Sequence, residues 1–397
     1  MAITINSQPS SYSSMHSPLY YVVTSDNTSE TNFKYVCDVY VGGNLVARLK
    51  SFPQPTNSKG IFDVSRVVRD YWSSYFKPIG VPTAFTHITS DIYVNYVLQF
   101  GEEYDSTTYL NLEEVDNFAY NFYPDFFSED ILSPYRSEIP YGQYITNRDK
   151  LNLQLDSTSL TNRRMFVPYL AGEQNQDLDF HLNVFVRNGS ALTTYTGADI
   201  TDRDFVLLDV SPLAINTYLG TSAITINTTS YDVEMVEENV ERDFVRVYLD
   251  CQPRSESINL HFLNALGGYD TMNFALVNRQ SRQGQRKSFS ALEYELNTST
   301  NAMNRYNANN IFYGGATSFW GEQTINYALK SNWVREKDYT WLKELIYSPE
   351  VYLEWNGYYL PVYITDSAWQ EKKNYQDKQF NLELNVELAS KVNSQFR

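Results

Sequence analysis

Apolar side chains recur at every second position along most of this chain, the spacing that lines one face of a strand. Phe33, Tyr35, Cys37, Val39 and Val41 alternate with polar residues, Gly42-Gly43 supplies a turn, and Leu45, Ala47 and Leu49 return. That pattern predicts a β-hairpin. Further strands are predicted at 19–24, 92–100, 151–155, 180–186, 205–210, 223–226 and 244–249, and from Ile258 onward. Helical spacing is convincing in two places. Val64, Val67, Val68 and Tyr71 share a stripe over 62–72, with Asp63 or Ser65 as the cap, and 336–347 reads as a short amphipathic helix. The latter stops at Ser348-Pro349 and runs into a hairpin of Val351 to Trp355 and Tyr358 to Ile364, turning at Asn356-Gly357. A last alternating strand places Phe380, Leu382, Leu384, Val386 and Leu388 on one face. The expected fold is mainly β: several antiparallel β-sandwich or barrel domains with few short helices.

A chain of 397 residues exceeds one compact core and implies several domains. The boundaries expected are a Ser-rich, flexible N-terminal arm over 1–18, an N-terminal β domain over 19–135, a middle β domain over 136–250 and a C-terminal β domain over 251–397. The aromatic and proline cluster at 118–145 breaks strand periodicity and reads as a linker.

With 33 Tyr, 22 Phe and 6 Trp the chain is rich in rings that suit half-buried strands and wet interfaces. Net charge is −16, unevenly spread. Of 31 Lys and Arg and 47 Asp and Glu, residues 271–397 hold 14 and 13, leaving 17 and 34 in 1–270. An acidic body argues against a dedicated nucleic-acid binder, which needs a basic footprint, and fits a soluble protein or a channel wall that repels DNA phosphates. Only Cys37 and Cys251 are present, so there is no zinc pattern. The first residues lack the basic-then-apolar order of a secretory signal, and no apolar run is long enough to span a membrane. Folding in a cytoplasm is the expectation, with the Asn-x-Ser/Thr triplets unused.

Catalytic signatures are missing. His16, His87, His181 and His261 stand apart, without metal-ligand spacing. Gly267-Gly268 and Gly314-Gly315 lack the Lys-Ser/Thr or third glycine of a phosphate loop and read as turns. The acidic groups Glu102-Glu103-Asp105, Glu113-Glu114-Asp116 and Glu234-Glu237-Glu238 are where a pair of glycosidase carboxylates would be sought, with solvated acidic loops the simpler account. The one cluster that invites a functional reading is Arg279, Arg282, Arg286 and Lys287, placed in a polar loop after a strand at 273–277. It is a candidate for intersubunit or DNA-channel contacts, or an ordinary solvated loop; lacking interleaved aromatics, it makes a poor base-reading surface.

Several segments resemble tail proteins of phages that infect Bacteroidota. They are the helix, hairpin and closing strand after residue 340, with Leu360-Pro361-Val362 and Phe380-Asn381-Leu382, and the run Phe262-Leu263-Asn264, Gly267-Gly268-Tyr269-Asp270 and Phe274. Leu160-Thr161-Asn162-Arg163 resembles the same group, and Phe62-Asp63-Val64-Ser65 resembles the crAss-like phages. The resemblance lies mostly after residue 250 and its motifs are structural. It implies tail-tube-like β domains in a hub, ring or baseplate protein of the virion, not an enzyme, without cofactor. Such a subunit is expected to form a homo-oligomeric ring around the DNA channel, join other tail proteins and let DNA pass without sequence-specific binding. The alternative is a carbohydrate- or receptor-binding virion protein, and after it a glycan-degrading tail enzyme.

Overall fold

The structure is a computed structural model. It describes residues 3–10, 13–72, 87–88, 92–105, 107–123, 142–156, 163–170, 178–202, 205–237, 239–250, 256–306, 311–312, 314–335, 338–366 and 379–393. The linker expected at 118–145 falls largely outside them, as do Cys251, Glu238 and all of Leu160–Arg163 except Arg163.

The described residues are mainly β, in open antiparallel-dominated sheets, and no sheet among them closes into a barrel. The chain divides into two compact units: Met1–Gln252, His261–Met272 and Lys337–Pro349 in the first, and Pro253–Leu260, Asn273–Glu336 and Glu350–Arg397 in the second. The first two expected domains thus lie in one unit, which also takes in a turn and a helix from the expected third.

In the first unit, a three-stranded sheet (Ile3–Ser7, Tyr20–Ser25, Gly60–Asp63) and a five-stranded sheet share one core. The five strands run in the order Ser13–Ser14, Thr107–Tyr120, Tyr93–Tyr104, Lys34–Val41, Asn44–Ser51. Tyr21, Val23 and Phe62 from one sheet meet Tyr35, Cys37, Val39, Tyr96, Leu98 and Phe100 from the other, all buried. Alternation therefore read the buried face correctly. Residues 1–18 do not behave as an arm over their described part. Ile3–Ser7 pairs with Tyr20–Ser25, and Ile3 and Met15 are buried, because the polar stretch still carries enough apolar side chains to complete a sheet. The helix expected over 62–72 is shorter, Ser65–Tyr71; Gly60–Asp63 precedes it as a strand, and Asp63 Oδ1 accepts from the Leu19 and Ser65 backbone N–H groups.

A second core in the same unit lies under a sheet with Phe166–Leu170 and Phe205–Asp209 at its centre and a sheet ordered Leu153–Asp156, Val240–Asp250, Ser230–Glu237, Leu178–Asn188, Ala191–Thr196. The strand expected at 223–226 is instead a turn-rich passage that buries Ala223 and Ile224 beneath a helix, Pro212–Leu219. That helix escaped the apolar pattern because it is two turns long. Its signals are the end residues: Ser211-Pro212 at the start and Gly220, at φ 63°, closing it in the left-handed region.

In the second unit the strands Val351–Trp355, Tyr358–Ile364, Gln379–Leu388, Gly315–Arg335 and Val277–Ala291 are neighbours in that order. The hairpin turns at Asn356-Gly357 as expected, with φ 49° and 79°, the mirror-type turn that matches strand twist. Leu382, Leu384 and Val386 are buried on one face of their strand.

Candidate assembly surface

Two features absorb the residues singled out by sequence. The first is a buried polar clamp in the first unit, built on the Asn-x-x-Gly-Gly-Tyr-Asp run. Asp270 is 2% exposed, and its Oδ2 accepts from Thr146 Oγ1 at 2.7 Å, Trp341 Nε1 at 2.8 Å and Asn264 Nδ2 at 3.2 Å. The Arg148 guanidinium lies 4.5 Å from the Trp341 ring centre and donates to the Thr271 carbonyl at 2.7 Å. Burial pushes the Asp270 carboxyl up, and the three donors and Arg148 oppose that. Gly267 sits at φ 92° with a Cβ position 2.2 Å from the Asn121 carbonyl, so the turn admits only glycine there. On the helix Tyr339–Tyr347, Trp341, Leu342 and Leu345 are buried, and Glu344 accepts from the Ala265 N–H at 3.0 Å and from Asn147 Nδ2 at 2.6 Å. Burial pushes the Glu344 carboxyl up to about 7. The clamp joins segments that lie far apart in the chain.

The second feature is an arm of the second unit. Arg279, Arg282, Arg286 and Lys287 are not in a loop: they lie on the strand Val277–Ala291, whose residues are exposed almost throughout. Polar composition hid the strand, because neither face is buried and no apolar alternation marks it. It pairs along its length with Gly315–Arg335 and ends the sheet, so its outer edge has no strand beside it among the described residues. Arg282 and Arg286 share one face and Arg279 and Lys287 the other, as the period of two requires. Lys287 stands 4.9 Å from the centre of the Trp320 ring. None of the four forms an ion pair among the described residues. Basic side chains along a long free edge also guard it against indiscriminate pairing.

On its inner side, Gly315–Arg335 is joined by Gln379–Leu388 from Asn326 onward and by Val392–Asn393 at Glu322 and Gln323. Beyond Glu322 the sheet narrows to two strands, Arg286–Ala291 against Gly315–Gly321, carrying a small hairpin of Glu295–Asn297 and Ala302–Asn304. This free end is apolar. Leu292, Leu296, Met303, Tyr306, Ile311 and Phe312 are each more than half exposed, and the Phe289 and Phe319 rings lie 6.1 Å apart nearby. Sequence reasoning missed this cluster; its only sign was a scatter of rings in a polar stretch without periodicity. Gly314, at φ 94° and with a Cβ position 2.2 Å from Glu293 Cα, returns the chain into the ribbon, as expected of a turn glycine.

The acidic clusters part company. Glu102 is buried and accepts from Ser25 and Asn27, while Lys50 and Lys34 hold the Glu103 carboxyl down at about 2. Glu237 accepts from the Tyr169 hydroxyl. Glu113, Glu114 and Asp116 are exposed on Thr107–Tyr120, and among the described residues they have no cationic partner. His16, His181 and His261 are engaged separately, with Asn121, Asp199 and Thr271 in turn. Among the described residues no three metal-ligating side chains converge, and no helix is long and apolar enough to cross a membrane. No protein-family model matches the chain, and no curated protein matches it.

Proposed function

We propose that this chain is a structural component of a phage tail, a hub, ring or baseplate subunit that works by assembly. The observation that carries the reading is the arm: a two-stranded ribbon bearing a cluster of solvent-facing apolar side chains at its free end. Water opposes such a cluster unless a partner covers it, and contiguous exposed apolar patches mark interaction sites. Basic residues flank the cluster, and the Tyr-rich composition suits interfaces that stay partly wet. The sequence resemblance to Bacteroidota phage tail proteins points the same way; the motifs after residue 250 that carry most of it build the clamp, the C-terminal hairpin and its closing strand. As a ring around the DNA channel, an acidic subunit lets DNA pass without gripping it.

The test is location. Antibodies raised against the purified chain are applied to particles of the phage whose genome encodes it, and the particles are imaged by negative stain. Label on the tail is expected. Absence of the chain from the particles would overturn the proposal, and binding plus turnover of a host glycan by the purified chain would replace it with the enzyme reading.

A further inference from the structure

We infer that the basic edge strand Val277–Ala291 of one copy docks antiparallel along the acidic edge strand Thr107–Tyr120 of a second copy, head to tail. The inference rests on the assembly reading above and names the partner for the arm.

Three observations select this occupant. First, the strands match in kind and length. Val277–Ala291 has 15 residues and Thr107–Tyr120 has 14, and among the described residues each has an edge left open over most of its length. The short strand Ser13–Ser14 covers Thr107–Tyr120 only at Ala119 and Tyr120. Open edges offer rows of backbone donors and acceptors that a second strand satisfies.

Second, charge discriminates among the edges. Among the described residues, the other edge strands of six or more residues that lie wholly in the first unit are Asn44–Ser51 and Ala191–Thr196. Asn44–Ser51 carries Arg48 and Lys50, already paired with Asp38 and Glu103, and no carboxylate of its own, and Ala191–Thr196 carries no charge. Thr107–Tyr120 alone of the three presents exposed carboxylates, Glu113, Glu114 and Asp116. Complementary potentials of this kind select partner and register.

Third, the order along the strands agrees. From Arg282 and Arg286 the arm passes to Phe289 and the apolar end. Read in reverse, Thr107–Tyr120 passes from Asp116, Glu114 and Glu113 to Leu112 and the exposed Leu110. An antiparallel alignment therefore sets basic against acidic and apolar against apolar at once. Because arm and acceptor are different surfaces, the contact is heterologous and propagates into a ring or filament.

The experiment uses two charge-reversed forms of the full chain, Arg282→Glu with Arg286→Glu, and Glu113→Lys with Glu114→Lys, studied by sedimentation velocity. Wild type is expected to self-associate, and less so as salt rises. Each variant alone is expected to associate at least about tenfold more weakly, since like charges then face each other. An equimolar mixture is expected to recover association, because each reversed surface finds its complement on the other variant. Circular dichroism and thermal midpoints matching wild type show that both variants fold. Wild type that stays monomeric at its highest soluble concentration, variants that associate as wild type does, or a mixture that stays dissociated would each overturn the docking. Tail labelling decides the assembly reading separately.

Discussion

Replacing Glu344 by Gln isolates one ionisable group whose cost is legible in the structure. The side chain is packed between the Ala265 N–H and Asn147, in the last turn of the helix Tyr339–Tyr347. Burial is the main cause of its raised carboxyl, and the negative end of the helix dipole acts in the same direction. The native state therefore binds this proton more tightly than the unfolded chain, near pH 7 against an ordinary 4.5. Stability from the group is fully present below pH 4.5 and is lost as pH rises through 7. A gap from 4.5 to about 7, at 1.36 kcal/mol per pH unit, sets a ceiling of about 3 kcal/mol, reduced where the side chain meets water. Glutamine keeps an acceptor for the Ala265 N–H and, once the Asn147 amide flips, donates to Asn147, without the ionisation. In urea unfolding at pH 5 and pH 8.5, the variant is expected to gain about 2–3 kcal/mol relative to wild type between the two pH values. Near-UV circular dichroism, to which the buried Trp341 contributes, follows the transition. A difference between the two proteins that is the same at both pH values would refute the reasoning.

Other consequences are as direct. Asp270→Ala strands the Thr146, Asn264 and Trp341 donors in the interior and is expected to destabilise the first unit by about 3–5 kcal/mol in the same assay. Trp341→Phe, which removes one of those donors, should cost about 1–3 kcal/mol. Gly357→Ala, at φ 79° in the C-terminal hairpin, is expected to cost about 1 kcal/mol and to raise amide exchange in Val351–Trp355 and Tyr358–Ile364; unchanged exchange there would contradict the turn assignment. Cys37 is wholly buried and burial pushes its thiol far above the ordinary range, so in a Cys251→Ser background it should resist a thiol reagent until urea unfolds the first unit. Rapid native labelling would show that the core around Tyr35, Tyr96 and Phe100 opens.

The amino-acid sequence by itself determined the local structure wherever one face of an element is buried. Alternation located the strand Lys34–Val41 and the buried face of Gln379–Leu388, and Gly42-Gly43 and Asn356-Gly357 set their hairpins through backbone geometry that only a few residues adopt. The helix after Asp338 was legible because Trp341, Leu342 and Leu345 form a stripe. Local pattern did not reveal the distant partners of Asp270, since Thr146 and Trp341 meet it from 124 and 71 residues away, whereas Asn264 lies in the same turn. Nor did it reveal that Arg279, Arg282, Arg286 and Lys287 lie on a strand. A ribbon exposed on both faces has no apolar period to read, and backbone pairing with Gly315–Arg335 alone makes it one. The apolar end of that ribbon became visible only when the tertiary structure showed which rings are left uncovered, because burial is a property of neighbours in space and periodicity records only neighbours in sequence.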